Sequence, residues 1–354
     1  MGWPARIVAL LMLTAIAGQA RGDDANPDTS TIDPQGNAHV TRVIPVPHTI
    51  SPEAQAFLAQ PTPFIPHFNT LAENRAFWDL QQHAQGEALL KRYPVQISDS
   101  VIGGVPVRII TPKVTPDKRD RVLIAIHGGG DIVDSGSLTE TIPVASLTHT
   151  KVIAVLYRLY PEAKRAEGTE DIVTVYRALL KTYKPYNIGV YGASAGGALT
   201  GGMAVRARQL KLPLPGALGI LAAGGDELTG DSLAMYGVVG LTDQIGVPRP
   251  EDSPDDRVPD RKDPVVSPLH ADLRGFPPTL FLTSTRDLML SGTVRYHRGF
   301  LAAGVDAQLV VFDALPHDFW GVESWLPESR EANEIIAHFF DTHLGKKAPK
   351  PKQN

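Results

Sequence analysis

Ser194 stands at the centre of Gly192-Ala193-Ser194-Ala195-Gly196, directly after the apolar run Ile188-Gly189-Val190-Tyr191 and ahead of a helical stretch. A serine on a sharp strand-to-helix turn, with glycine two residues away on either side, has the form of a nucleophile elbow. The turn strains the serine backbone, and the glycines let strand and helix approach. Such a hydroxyl attacks a carbonyl only when a base takes its proton and a carboxylate orients that base. The elbow predicts the chain order serine, acid, histidine, each on a loop after a strand. Downstream, the run TLFLTS (279–284) leads into Thr285-Arg286-Asp287, and QLVVF (308–312) leads into Asp313-Ala314-Leu315-Pro316-His317. Asp287 and His317 are therefore the expected acid and base. The other histidines after Ser194 fit less well: His297, His338 and His343 fall within helical stretches, and His270 precedes a strand. Asp313 and Asp318 adjoin His317 without following the preceding strand.

A tetrahedral intermediate also needs N–H donors aimed at its developing oxyanion. His127-Gly128-Gly129-Gly130 follows the run VLIAI (122–126), and side-chain-free residues there would bring backbone donors close to a substrate. Gly128 and Gly129, with the N–H of Ala195, are the expected oxyanion-hole donors. No Lys-Ser or Lys-Thr pair follows the glycines, as a phosphate-binding loop would require. The chain has no cysteine, which excludes thiolate metal sites, cysteine nucleophiles and disulfides. Lys and Arg total 34 against 38 Asp and Glu, a net charge of −4, so no basic excess exists to neutralise a nucleic-acid backbone.

The elements that must carry these groups can be read from periodicity. Short apolar runs at 95–98, 105–110, 122–126, 152–157, 188–191, 217–221, 279–284 and 308–312 are candidate strands. The first two flank Gly103-Gly104 and predict a hairpin. The later ones are continuous Val, Ile and Leu runs, the pattern of strands covered on both faces. Helical stretches at 169–183, 195–210, 289–303 and 329–343 alternate with them. The fold class is thus α/β, a doubly wound, mostly parallel sheet with an antiparallel edge at its start. Before it, prolines between 45 and 66 allow at most one short helix, and Thr70 with Glu73 has capping-box spacing at the head of a longer helix stopped by Pro94. Residues 226–275 are too long for a simple crossover, and an insertion of that length suggests a lid or binding element.

Taken in order, HGGG at 127–130, YRLYPE at 157–162, GASAGG at 192–197, Asp287, and His317 within His-Asp-Phe resemble the hormone-sensitive-lipase branch of the α/β-hydrolase esterases, the bacterial type IV group. The resemblance covers about residues 95–343. It implies an eight-stranded sheet flanked by helices, a helical cap, and hydrolysis of carboxylic esters without metal or organic cofactor. The expected layout is a flexible N-terminus and first cap segment over 23–92, a catalytic domain over 93–225 and 276–344, and a second cap segment over 226–275. Three departures stand beside the site. Ala193 occupies the place where the family usually has Asp; Asp131 and Ile132 follow HGGG where an aromatic is common; Asp287-Leu288-Met289 replaces Asp-Pro-Leu. Asp131 should either turn outward to solvent or touch a polar substrate.

Residues 1–22 carry Arg6, a mostly apolar run from Ile7 to Gly18 and small residues at Gly18 and Ala20, the pattern of a cleavable secretory leader. Export to the periplasm or outside the cell is expected, with no stable membrane insertion after cleavage. Residues 345–354 form a polar tail with four lysines, expected to be disordered. The expected reaction is hydrolysis of a small-molecule, short-chain ester through an acyl-enzyme on Ser194. Lactone or amide hydrolysis, or acyl transfer, would use the same three residues. A non-catalytic ligand-binding protein on this scaffold would not need to retain all three. Composition and motifs leave the oligomeric state open.

Overall fold

The computed structural model describes residues 29–60, 66–113, 120–226, 230–235 and 257–346. The expected leader, most of the lysine-rich tail and much of the 226–275 insertion therefore lie outside the described residues. The chain divides into two compact units, Met1–Pro45 and Val46–Asn354. In the first, β1 (Thr29–Ile32) pairs antiparallel with β2 (Ala38–Thr41). The segment expected to be a flexible terminus thus carries a hairpin in its described part. Asp33 organises the turn by accepting the N–H groups of Gln35 and Asn37, at 2.9 and 2.8 Å, and Gly36 takes φ +86°. The alternating residues around Pro-Gln-Gly-Asn are a hairpin signal that the acidic, polar composition masks.

In the second unit, α1 (Pro52–Leu58) and α2 (Leu71–Leu90) precede the sheet, and Thr70 and Glu73 close the expected capping box on α2. β3 (Val95–Ile102) and β4 (Val105–Pro112) form the expected hairpin, turning on Gly103 and Gly104 at φ +63° and +89°. Next come β5 (Val122–Ile126), α3 (Ile142–Thr148), β6 (Lys151–Val155), α4 (Arg165–Leu179), β7 (Ile188–Ala193), α5 (Ala195–Gln209) and β8 (Ala217–Leu221). Then follow α6 (Asp231–Met235), β9 (Thr279–Ser284), α7 (Leu290–Ala302), β10 (Ala307–Phe312), α8 (Phe319–Val322) and α9 (Pro327–His343). The eight-stranded sheet runs β10-β9-β8-β7-β5-β6-β4-β3, and only the β3, β4 and β6 pairings are antiparallel. Every residue of β5, β7, β8 and β9 is buried, so apolar residues dominate these strands, with Thr279, Thr283 and Ser284 of β9 buried among them. The edge strand β3 exposes most of its polar residues.

The core lies in two layers. One cluster joins α1, α3 and α9 to one face of the sheet through Ala54, Ile142, Tyr191 and Phe340; the other joins α4, α5 and α7 through Ile172, Met203, Phe281 and Tyr296. Burying one such aromatic ring stabilises the fold by roughly 1.5–3 kcal/mol. Ala54 and Leu89 sit in the first cluster, and Val265 and Leu273 in the second. The cap boundaries expected at 92 and 275 are therefore not packing boundaries: α1, the end of α2 and residues 265–273 belong to the catalytic body.

β5 leads to β6 on one side and is paired with β7 on the other, so the strand order reverses there. Crevices at such points, beyond the carboxyl ends of parallel strands, hold ligands in open α/β sheets. In the β5–β7 register Ile126 lies opposite Gly192, which sets His127 and Gly128 beside Ala193 and Ser194.

Candidate active site

Ser194 links β7 to α5 with φ +56° and ψ −122°, a strained conformation for a residue with a Cβ. The crossing explains the two glycines. A Cβ on Gly192 would lie 2.5 Å from the carbonyl of Ile126, and one on Gly196 would lie 1.9 Å from the same oxygen. The elbow is thus as tight as the motif demands.

β9 and β10 lie side by side, with Phe312 opposite Ser284, so the loops after them leave the same edge of the sheet. Asp287 is 1% exposed and its carboxylate accepts from Thr283 Oγ1 at 2.6 Å and from the N–H of Met289 at 2.8 Å. The loop to His317 is tied back by Ser284 Oγ donating to the Leu315 carbonyl and by the Ala314 N–H donating to Thr285 Oγ1 at 2.7 Å. His317 Nδ1 lies 2.6 Å from Asp287 Oδ1 and its Nε2 lies 2.8 Å from Ser194 Oγ. A carboxylate only accepts, so Nδ1 carries the ring proton and Nε2 accepts from the serine hydroxyl. Burial works against the imidazolium, but the Asp287 charge and hydrogen bond, with Asp318 adding to them, hold His317 above its ordinary range. The structure therefore brings Ser194, Asp287 and His317 into one hydrogen-bonded line. His270, His297, His338 and His343 form no part of it.

The glycine turn differs in detail from the expectation. Gly129 and Gly130 have φ +104° and +66°, and the Gly129 carbonyl accepts from Ile132 and Val133, at 3.0 and 3.2 Å. A Cβ on Gly129 would lie 2.1 Å from the Val133 oxygen. The Gly128 N–H points the other way and donates to Glu140 Oε1 at 3.4 Å. Gly128 is therefore not a donor to the site. Its role is closeness: a Cβ there would lie 3.3 Å from that of Ser194. The N–H groups of Gly129 and Gly130 have no partner among the described residues, and that of Ala195, at the head of α5, has none within its own helix. Gly130 thus offers an N–H without a partner among the described residues that the sequence had not singled out, although the third glycine was its visible signal. Tyr157 anchors the start of the turn, stacking on His127 at 4.4 Å and donating to its carbonyl at 3.0 Å.

Asp131 does not face solvent. It is 2% exposed, and its Oδ2 accepts Arg165 Nε at 2.9 Å and Nη2 at 2.6 Å. Its carbonyl also accepts the Tyr160 N–H at 2.7 Å. Arg257, within the 226–275 insertion, donates from Nη1 to the Gly130 carbonyl at 2.8 Å and accepts the Arg165 N–H on its own carbonyl at 3.2 Å. Arg75 on α2 reaches the same turn from the other flank, donating to the Ile132 and Tyr160 carbonyls. Ala193 is fully buried within the core cluster. Among the described residues no group of histidines and acids could hold a metal ion.

A sequence profile of the alpha/beta hydrolase fold matches residues 123–321. An esterase of Acinetobacter venetianus is 30% identical over 230 residues, which is 62% of this chain and 74% of that protein. A crystal structure of an esterase superposes with TM-score 0.71 at 32% identity, covering 86% of this chain and 98% of the other. A second, of an esterase from the bacterial hormone-sensitive lipase family, gives TM-score 0.69 at 27% identity over 83% of this chain and 99% of the other.

Proposed function

The chain belongs to the α/β-hydrolase family, among its hormone-sensitive-lipase-like esterases, and from that premise we propose that it hydrolyses short-chain carboxylic esters through an acyl-enzyme on Ser194. The observation that carries the mechanism is the line Ser194–His317–Asp287, with contacts of 2.8 and 2.6 Å. Ser194 Oγ attacks the ester carbonyl as its proton passes to His317 Nε2, and Asp287 stabilises the imidazolium. The N–H of Ala195, with those of Gly129 and Gly130, meets the negative oxygen of the tetrahedral intermediate. His317 then gives the proton to the leaving alcohol. In the second half a water, deprotonated by His317, attacks the acyl carbon and releases the acid and free Ser194.

No helix among the described residues is long and apolar enough to cross a membrane. Export behind a leader over 1–22 is part of the same proposal, and N-terminal sequencing of the mature protein checks it.

Ser194→Ala should abolish turnover of p-nitrophenyl acetate and butyrate and the mass adduct formed with a fluorophosphonate, with an unchanged circular dichroism spectrum. Turnover surviving in that variant would sink the mechanism. In a panel varying the acyl part alone, acetate to butyrate should outrun acyl chains of about twelve carbons or more by tenfold or better; the reverse order would overturn the short-chain preference.

A further inference from the structure

Asp318, next to His317 in the chain, and Glu140 are two more buried carboxyl groups that the mechanism does not use. Asp318 follows His317 directly, takes φ +52° and is 3% exposed, and its Oδ1 is buried without a hydrogen-bond partner. Glu140, from the turn that precedes α3, is equally buried. The two meet over Gly321: a Cβ there would lie 3.1 and 3.2 Å from the Asp318 carboxylate oxygens and 3.1 Å from Glu140 Cγ. Glycine at 321 leaves the space in which they sit.

Resting on the reading of His317 as the base, we propose that Asp318 is a positioning residue that acts through His317, its buried carboxylate adding to that of Asp287 a second negative charge against the imidazolium. A left-handed backbone is uncommon outside glycine, and here it accompanies a short acidic side chain turned into the interior. A buried carboxylate with one oxygen unpartnered is costly, and a neighbouring cation offsets that cost. The reaction makes that cation transiently, on His317.

The surrounding charges are consistent with this. Burial, with the charge of Asp287 adding to it, raises Asp318 to about 7 against the pull of His317 and of the Gly321 N–H. Glu140 is held well above the carboxylate range by burial and by the charges of Asp318 and Asp134, against the pull of the Gly128 N–H. Two adjacent buried carboxyls do not both ionise readily, so Glu140 is the neutral member and Asp318 the one whose charge reaches His317. The phenols of Tyr157 and Tyr191, which lie near Glu140, are pushed far up by burial and stay neutral.

The test is the pH profile of kcat/KM for p-nitrophenyl acetate, together with the pH dependence of fluorophosphonate labelling at Ser194. Asp318→Asn keeps the backbone conformation, because Asn tolerates left-handed φ, and Asp318→Gly takes it without strain. Both remove the charge, so both should move the acid limb to lower pH by about 0.5–1 unit and lower plateau kcat by roughly three- to tenfold, with KM within about twofold. Glu140→Gln, which fixes the neutral form, should move the limb less than half as far. Asp313→Asn removes an exposed charge from the same loop, held by Thr49 and Thr285, and should leave the limb in place. An acid limb unmoved in both Asp318 variants, or moved as far by Asp313→Asn, overturns the proposal. Should the wild type label at Ser194 yet hydrolyse no ester, the esterase reading fails and the labelling profile still decides the role of Asp318.

Discussion

Asp131 is the residue whose sequence position misleads most. Beside a glycine turn that faces a substrate, an acid invites a role in recognition, yet it serves as an internal brace. Arg165 carries two of its hydrogen bonds, and the arginine and aspartate side chains are only 18% and 3% exposed. Removing one partner of a buried pair leaves the other uncompensated, at a cost of about 3–5 kcal/mol. Arg165→Met should therefore lower the free energy of unfolding in urea by roughly that amount, and adding Asp131→Asn should recover a good part of it; additive losses would show that the two residues are not coupled. Ser194, His317 and Asp287 were legible for the opposite reason. Nucleophile, acid and base each follow an apolar run, and each type is constrained by its chemistry. Gly130 and Arg257 were not legible, because a backbone donor has no letter of its own and the arginine reaches the turn from about 127 residues away in sequence.

At the scale of elements, α8 shows how a short helix can make stability depend on pH. Glu323 at its end is 4% exposed, and burial raises its carboxyl from 4.5 to about 7, although the Trp325 indole donates to it at 2.7 Å. A carboxyl whose folded value lies above its unfolded one favours folding when protonated. That contribution is present below about pH 4.5 and is lost as pH rises to about 7. At 1.36 kcal/mol per unit the loss is at most about 3 kcal/mol. Glu323→Gln should match the wild-type Tm near pH 4.5 and exceed it at pH 8; a constant difference between the two would contradict the assignment. Phe340 on α9 gives a second check on packing, since it is buried against Tyr191 with centroids 5.7 Å apart. Phe340→Ala should destabilise the protein by about 3–5 kcal/mol in chemical denaturation. The central strands of the sheet were readable because burial on both faces leaves mostly apolar residues along them. α3 was missed, since Ile142-Pro143-Val144-Ala145 is short and apolar throughout, with no polar face to set a helical period.

On the scale of the whole molecule, nothing covalent reinforces the fold. The chain contains no cysteine, so Tm should be unchanged by dithiothreitol, and a shift on reduction would point to a bound partner carrying the disulfide. Layers of buried residues on the two faces of one sheet must supply the stability instead. The sheet also fixes when the site comes into being. Ser194 and His317 are 123 residues apart in sequence and meet only after β8, β9 and β10 have been added to β7 in order. Contacts of such separation form late, because the chain entropy of closing the intervening segment must be met first. Recovery of labelling at Ser194 after dilution from denaturant should therefore lag behind the recovery of helical signal, making the reactivity of one hydroxyl a clock for the last stage of folding.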